Sequence, residues 1–192
     1  MKPFSDIQCI TSILNGNKQL YSVLVNRYKD LVYTAVVRLV KNNEVAEEVA
    51  QDTFIKAYNA LNKFKGDAKF STWLYRIAYN SSLDYLKKKK LNIEPISKLN
   101  EMDVVSSLDV LNEIEKVERN TIIKRCIEQL NGDDSFLLTL YYYEELSIVE
   151  LANVLDLTLS NTKQKLFRAR KKLAVLLKEN LEKEWIEVYE RN

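Results

Sequence analysis

The 192-residue sequence contains no histidine and only two cysteines. Imidazole acid–base catalysis is therefore excluded, and a transition-metal centre has almost no ligands to draw on. Three glycines and two prolines in a chain of this length argue against a loop-rich or turn-rich architecture and for helices joined by short turns. Cys9 and Cys126 lie far apart among aliphatic neighbours, which reads as two buried thiols in a reducing compartment rather than a disulfide. Met1-Lys2-Pro3 leads into no long apolar run, so neither a signal peptide nor a membrane span is expected and the protein is placed in the cytoplasm. There is no glycine-rich phosphate loop and no convergent carboxylate pair, which leaves an enzyme little to work with.

What is present is charge, unevenly distributed. Hydrophobic residues make up 46% and charged residues 29% of a chain whose net charge is only +2. Residues 1–90 hold 15 basic and 8 acidic side chains, residues 91–120 hold 3 and 7, and residues 121–192 hold 11 and 12. Six of those last eleven basic residues fall between Ser160 and Lys172 (SNTKQKLFRARKK), a stretch with no acid at all. Lys163, Lys165, Arg168, Arg170, Lys171 and Lys172 cover the exposed surface of a predicted helix, while Leu166, Ala169, Leu173 and Leu176 recur at core spacing behind it. Ordinary surface helices mix signs to gain i,i+4 pairs. A helix apolar behind and wholly basic in front suits a DNA groove.

The hydrophobic period sets out the rest of the chain. Ile7, Ile10, Ile13 and Leu14 mark a first helix, stopped at Asn15-Gly16-Asn17. Tyr21, Leu24, Val25 and Tyr28 mark a second, with a break or bend expected near Lys29-Asp30 before the stripe resumes through Leu39 and Val40. Asn43 is the predicted cap of the next helix, with Ala46, Ala50, Phe54, Ala57 and Leu61 inward and Glu48, Gln51, Asp52 and Ile55 outward. Gly66-Asp67 opens a loop, and Thr72 to Lys90 returns to helix. Pro95 and the polar residues of 91–106 read as linker. The helical stripe restarts at Leu108 and runs to Leu130. Phe136 to Tyr143 (FLLTLYYY) could pass for a buried strand but is read as a core helix. Ser147 and Glu150 form a capping box for a short helix, and Asp156-Leu157-Thr158 is the turn before the basic helix, capped by Thr158. Short helix, tight turn and longer basic helix is the helix-turn-helix layout.

Two separate stretches, AEEVAQDTFIKAYNAL followed by FKGDAKFSTWLYRIAYNSSLDYLKKKK, and then ELANVLDLTLSNTKQKLFRARKKL, resemble the second and fourth conserved regions of bacterial sigma-70-type factors. The short acidic segment between them is similar to that of the extracytoplasmic-function subgroup, and the resemblance covers roughly residues 5–178. It implies an all-α chain of two small helical domains joined by a flexible linker. Residues 1–90 would form region 2, residues 91–120 the acidic linker and a lead-in helix, 121–178 the region 4 helix-turn-helix, and 179–192 a helical tail. Asp156 stands where the family usually has the turn Gly, Asn131 where it has Pro, and Asn161-Thr162 where it has Thr-Val.

The resemblance further implies a promoter-recognition subunit of RNA polymerase that is no enzyme by itself and needs no cofactor or metal. Ser160, Asn161, Lys163, Gln164 and Lys165 would reach base edges of the minus-35 element, and Arg168, Arg170, Lys171 and Lys172 its phosphates. The minus-10 element would meet Phe64, Lys65, Gly66, Asp67, Ala68, Lys69, Phe70 and Ser71, with Arg76, Asn80, Lys87 and Lys88 behind the loop. Trp73, Tyr75 and Tyr79 add aromatic rings, Trp73 more as core than as a stacking platform. Glu48, Gln51, Asp52 and Ile55 match the surface that docks on the largest-subunit coiled coil, and the second domain would lean on the second-largest-subunit flap. An anti-sigma protein is the expected inhibitor. The linker, about 30 residues, averages about 30 Å as flexible coil, enough for each module to handle its own promoter element. The competing reading, a stand-alone helix-turn-helix regulator, leaves the first 90 residues without a purpose.

Overall fold

A computed structural model describes residues 4–91 and 116–190, with side chains at 4–89 and 121–180. Among the described residues there are eight α-helices and no strand: α1 (Asp6–Leu14), α2 (Tyr21–Val40), α3 (Asn43–Asn59), α4 (Phe70–Leu91), α5 (Lys116–Gln129), α6 (Gly132–Tyr142), α7 (Ile148–Leu155) and α8 (Leu159–Glu190). The predicted linker and the stripe from Leu108 to residue 115 lie outside the described residues. Backbone of the tail continues α8 as far as Glu190.

Helices α1–α4 close around one core. Leu24, Val32, Val36 and Val40 of α2 meet Ala46, Val49, Ala50, Phe54 and Ala57 of α3 and Phe70, Leu74 and Ala78 of α4. In α1 the buried face is Cys9, Ile10 and Ile13, whereas Ile7 and Leu14 point outward at 55% and 52% exposure, against expectation. Cys9, Ile10 and Ile13 fall within one arc of about 100° around the helix, and Ile7 and Leu14 lie outside it. The expected break at Lys29-Asp30 is absent, since α2 runs unbroken for 20 residues. Both residues are exposed on its outer side, where polar side chains are no obstacle to helix. The cap of α3 is Asn42 rather than Asn43: its backbone is extended (φ −150°) and its side chain accepts from the Val45 N–H at 2.9 Å.

Helices α5–α8 build the second core. Ile122, Cys126 and Ile127 of α5, with Leu130 just past its end, face Phe136, Leu137, Leu138 and Leu140 of α6, Leu151, Val154 and Leu155 of α7, and Leu166, Ala169 and Leu173 of α8. Asn131, just past the end of the α5 stripe, accepts from the Asp134 N–H and caps α6. Ser147 and Glu150 satisfy each other's backbone N–H groups at the head of α7, as the capping-box spacing requires. Asp156 ends α7 in the left-handed region (φ 56°, ψ 44°), a conformation an aspartate tolerates better than most residues, so the turn survives without glycine.

The two modules do not stand apart. Ala35 and Leu39 of α2 and Tyr75 and Tyr79 of α4 are buried in the second core, α2 against α6 and α4 against α7. Arg38 bridges to Glu128 of α5 at 2.7 Å, and the Lys41 ammonium donates to the Glu128 carbonyl at 2.8 Å. The basic helix lies on the outside of this assembly.

Candidate nucleic-acid interface

The phase of α8 is fixed by Thr162, Leu166, Ala169 and Leu173, all turned into the second core. Thr162, where an aliphatic residue was expected, is fully buried, and its hydroxyl donates to the Thr158 carbonyl at 2.9 Å. The polar atom is satisfied inside its own first turn. Thr158 also accepts from the Asn161 N–H at 3.2 Å, which sets the helix start beside the turn.

With that stripe inward, Ser160, Gln164, Arg168 and Lys171 point straight out and Asn161 and Lys163 flank them, all exposed. Phe167 shares this face at 59% exposure, with the Lys171 ammonium 5.0 Å above its ring. The sequence reading passed over Phe167. The signal was available, because an aromatic residue one step from Leu166 cannot share its inward phase. The remaining basic residues are turned aside. Arg170 lies against the rings of Tyr141 (4.7 Å) and Tyr142 (5.6 Å). Lys165 and Lys172 pair with Asp133 (3.0 Å) and Asp134 (2.8 Å) at the head of α6. Asn161, Gln164, Lys165, Arg168 and Lys172 line a shallow groove of about 470 Å³ that Asp134 shares.

In the first module, residues 64–69 form the loop into α4. Gly66 adopts φ 81°, which favours glycine, and Lys65, Asp67 and Lys69 project into solvent beside it. Phe70 departs from expectation. At 2% exposure it lies behind the loop, packed with Phe64 and Trp73 (centroids 5.4–5.6 Å apart), so it shapes the loop without offering a surface. Ser71 is half-buried, and Arg76 and Asn80 are exposed about two and three turns into α4, with Lys87 and Lys88 exposed near its end. On α3, Glu48, Gln51, Asp52 and Ile55 form one uncovered face, Ile55 at 59% exposure.

Several of these groups already have partners in the second module. Arg76 pairs with Asp156 at 2.7 Å and Lys69 with Glu150 at 3.5 Å. The Tyr75 hydroxyl donates to Glu144 at 2.7 Å and that of Tyr79 lies 3.5 Å from Asp133. Burial, then the nearby carboxylate, pushes both phenols up, Tyr79 to about 12, so both remain donors. The Glu150 carboxyl sits below its ordinary value, first because the Ser147 N–H bonds its charged form, with Lys69 contributing less.

Comparison with known proteins follows the same division. Residues 24–91 match the family described as sigma-70 region 2, and residues 120–173 match sigma-70 region 4. The chain is 34% identical over 187 residues to the RNA polymerase sigma-H factor of Pseudomonas aeruginosa, covering 91% of this chain and 96% of that protein. It is 30% identical over 178 residues to the extracytoplasmic-function sigma factor SigW of Bacillus subtilis, covering 88% and 95%. Its fold is similar to that of the sigma factor RpoE of Bartonella quintana, solved with the anti-sigma factor NepR (TM-score 0.60, 20% identity, 82% of this chain and 96% of that one).

Proposed function

This chain belongs to the extracytoplasmic-function group of the sigma-70 family, the promoter-specific initiation factors of RNA polymerase, and we propose that its two modules divide the promoter between them. The outward face of α8 enters the major groove of the minus-35 element. The observation that carries this is the phase of that helix: Ser160, Gln164, Arg168 and Lys171 are uncovered, while Thr162, Leu166, Ala169 and Leu173 are locked inward. Gln164 reads a base edge, with the bidentate geometry that suits adenine. Phe167 meets a thymine methyl, and Arg168 and Lys171 hold phosphates. The loop at 64–69, with Arg76 and Asn80, takes the opened strand of the minus-10 element, where Lys65 and Lys69 bind phosphates. Core RNA polymerase docks on the α3 stripe through its largest-subunit coiled coil and on the second module through its flap, and supplies the chemistry; the chain is itself no catalyst. Residues 1–90 and 121–178 are the two functional units, and an anti-sigma protein holds them in check, a reading supported by the fold shared with the NepR-bound factor. No helix among the described residues is long and apolar enough to cross a membrane, which fits a cytoplasmic partner of polymerase.

Two substitutions on α8 separate reading from holding. Gln164→Ala is expected to relax selectivity at a single base pair by about 1–3 kcal/mol. Lys171→Ala should weaken all duplexes alike and reduce the salt slope of log K by about 0.9. Competition binding of the reconstituted holoenzyme against a randomised duplex library, at three salt concentrations, measures both. The function itself is tested by adding the purified chain to core polymerase and mapping transcription starts across the genome. Starts that depend on the chain are expected to share two spaced elements; their absence, or binding of duplex sites by the free chain as a dimer, would favour the stand-alone regulator.

A further inference from the structure

We propose that α1, which lies outside the region 2 match at residues 24–91, is a wall of the minus-10 strand site, and that Ile7 reads one unpaired thymine there through its methyl group. This rests on the minus-10 role proposed above for the loop at 64–69. Ile7 and Gly66 are far apart in sequence, both exposed, and adjacent in space: a Cβ on Gly66 would lie 3.9 Å from the Ile7 Cδ1. The helix gives Cys9, Ile10 and Ile13 to the core and leaves Ile7 outside, at 55% exposure, beside the loop. Lys63, Lys65 and Lys69 are exposed along the segment 61–69, where Asp67 is the single acid. The one acid of α1, Asp6, is already paired with Arg27. A cationic rim around an aliphatic side chain and a glycine backbone fits a polyanion with a base turned out of its stack. Among the DNA bases only thymine carries an aliphatic group, the C5 methyl, and an apolar side chain is its ordinary partner. A partner helix fits less well, since it would meet the polar Thr11 between Ile7 and Leu14 on the same face.

Ile7 and the loop are anchored through one residue of α2. A helix of nine residues does not persist on its own hydrogen bonds, so α1 depends on what fixes its head. Ser5 and Gln8 close a capping box, the Ser5 N–H donating to the Gln8 Oε1 at 2.9 Å. The Asp6 carboxylate accepts from Arg27 and, at 2.6 Å, from the Tyr28 hydroxyl. Arg27 also donates to the Phe4 carbonyl at 2.7 Å. The Tyr28 ring stands 5.6 Å from that of Phe70, the ring behind the loop. Tyr28 therefore ties the head of α1 and the root of the loop to the same point. Side chains locked in this way can discriminate by a single methyl group, which a loose site cannot.

The experiment uses holoenzyme reconstituted from core polymerase and the full chain, with core polymerase alone as the blank. A fluorescein-labelled random single-stranded 12-mer pool is enriched on it, and each thymine of the selected strand is exchanged singly for deoxyuridine, which lacks only the methyl. One exchange should cost the wild type about fourfold in affinity, the value of one buried methyl group. Ile7→Ala should bind the thymine strand weaker by at least that factor and no longer distinguish deoxyuridine at that position. Ile7→Val should keep the distinction. Each variant should retain its helical circular dichroism, because the side chain is mostly outside the core. A selected strand with no methyl-sensitive thymine overturns the proposal. So does an Ile7→Ala holoenzyme that still distinguishes deoxyuridine, or one whose only loss is affinity for core polymerase. Lys65→Ala and Lys69→Ala keep the two assignments apart. If they weaken every strand while the methyl effect is missing, the loop holds the minus-10 strand without α1. If they weaken none, the minus-10 assignment falls and the role of Ile7 with it.

Discussion

Replacing Ile55 with aspartate is expected to lower affinity for core RNA polymerase by about a hundredfold while leaving the fold intact. Glu48, Gln51, Asp52 and Ile55 follow the i, i+3, i+4, i+7 spacing of one helix face, and all four are exposed on α3. A single exposed aliphatic residue is common on any protein. One framed by Glu48 and Asp52 is different, because a basic partner helix drawn in by the carboxylates would bury it at the centre of the contact. Truncating such a centre costs at least about 2 kcal/mol, and a carboxylate desolvated in its place costs more. Folding should shift by no more than about 0.5 kcal/mol, since the substitution touches no core atom. Ile7→Asp supplies the control: Ile7 is equally exposed, at 55%, but on α1. Titration of labelled core polymerase should separate the two variants. A loss below about threefold for Ile55→Asp would remove α3 from the docking surface.

How much could be read before the structure depended on whether a feature is local. The phase of α8, the Ser147–Glu150 capping box and the left-handed turn at Asp156 each involve residues within four positions of one another, and all appear where spacing put them. Locality also bred errors. Lys29-Asp30 looked like a break because two polar residues interrupt an apolar stripe, yet they merely fall on the outer side of α2. With Asn42 and Asn43 adjacent, composition could not decide which one takes the extended backbone that lets a side chain cap. Phe70 reads as an aromatic ring available for stacking beside the loop, and only three-ring packing with Phe64 and Trp73 reveals it as support for the loop. The docking of the modules was not legible at all. Arg76 and Asp156 are separated by 80 residues, and no periodicity announces that Gly132 is missing a Cβ for the sake of Leu39.

Phe136→Ala should have the largest effect on stability, about 3–5 kcal/mol, because α6 is the hub of the second core. The run FLLTLYYY showed no period for a physical reason: Phe136, Leu137, Leu138 and Leu140 are all fully buried, so α6 is covered on every side and has no polar face to betray its pitch. Deleting the phenyl group leaves a cavity that Tyr79, Leu137 and the core side chains of α5 and α8 cannot close without moving rigid backbone. A domain has about 5–15 kcal/mol to lose, so much of the second module's stability goes with this ring. The first core, built from α1 to α4 around Leu24, Val32, Val36 and Leu74, contains no atom of α6. Hydrogen exchange on the variant should therefore show amides of α5 to α8 losing protection by about a hundredfold or more, while α1 and α3, which put no side chain into the second core, lose far less. Equal loss in both halves would mean that the packing of α2 and α4 on the second core couples the modules into one cooperative unfolding unit.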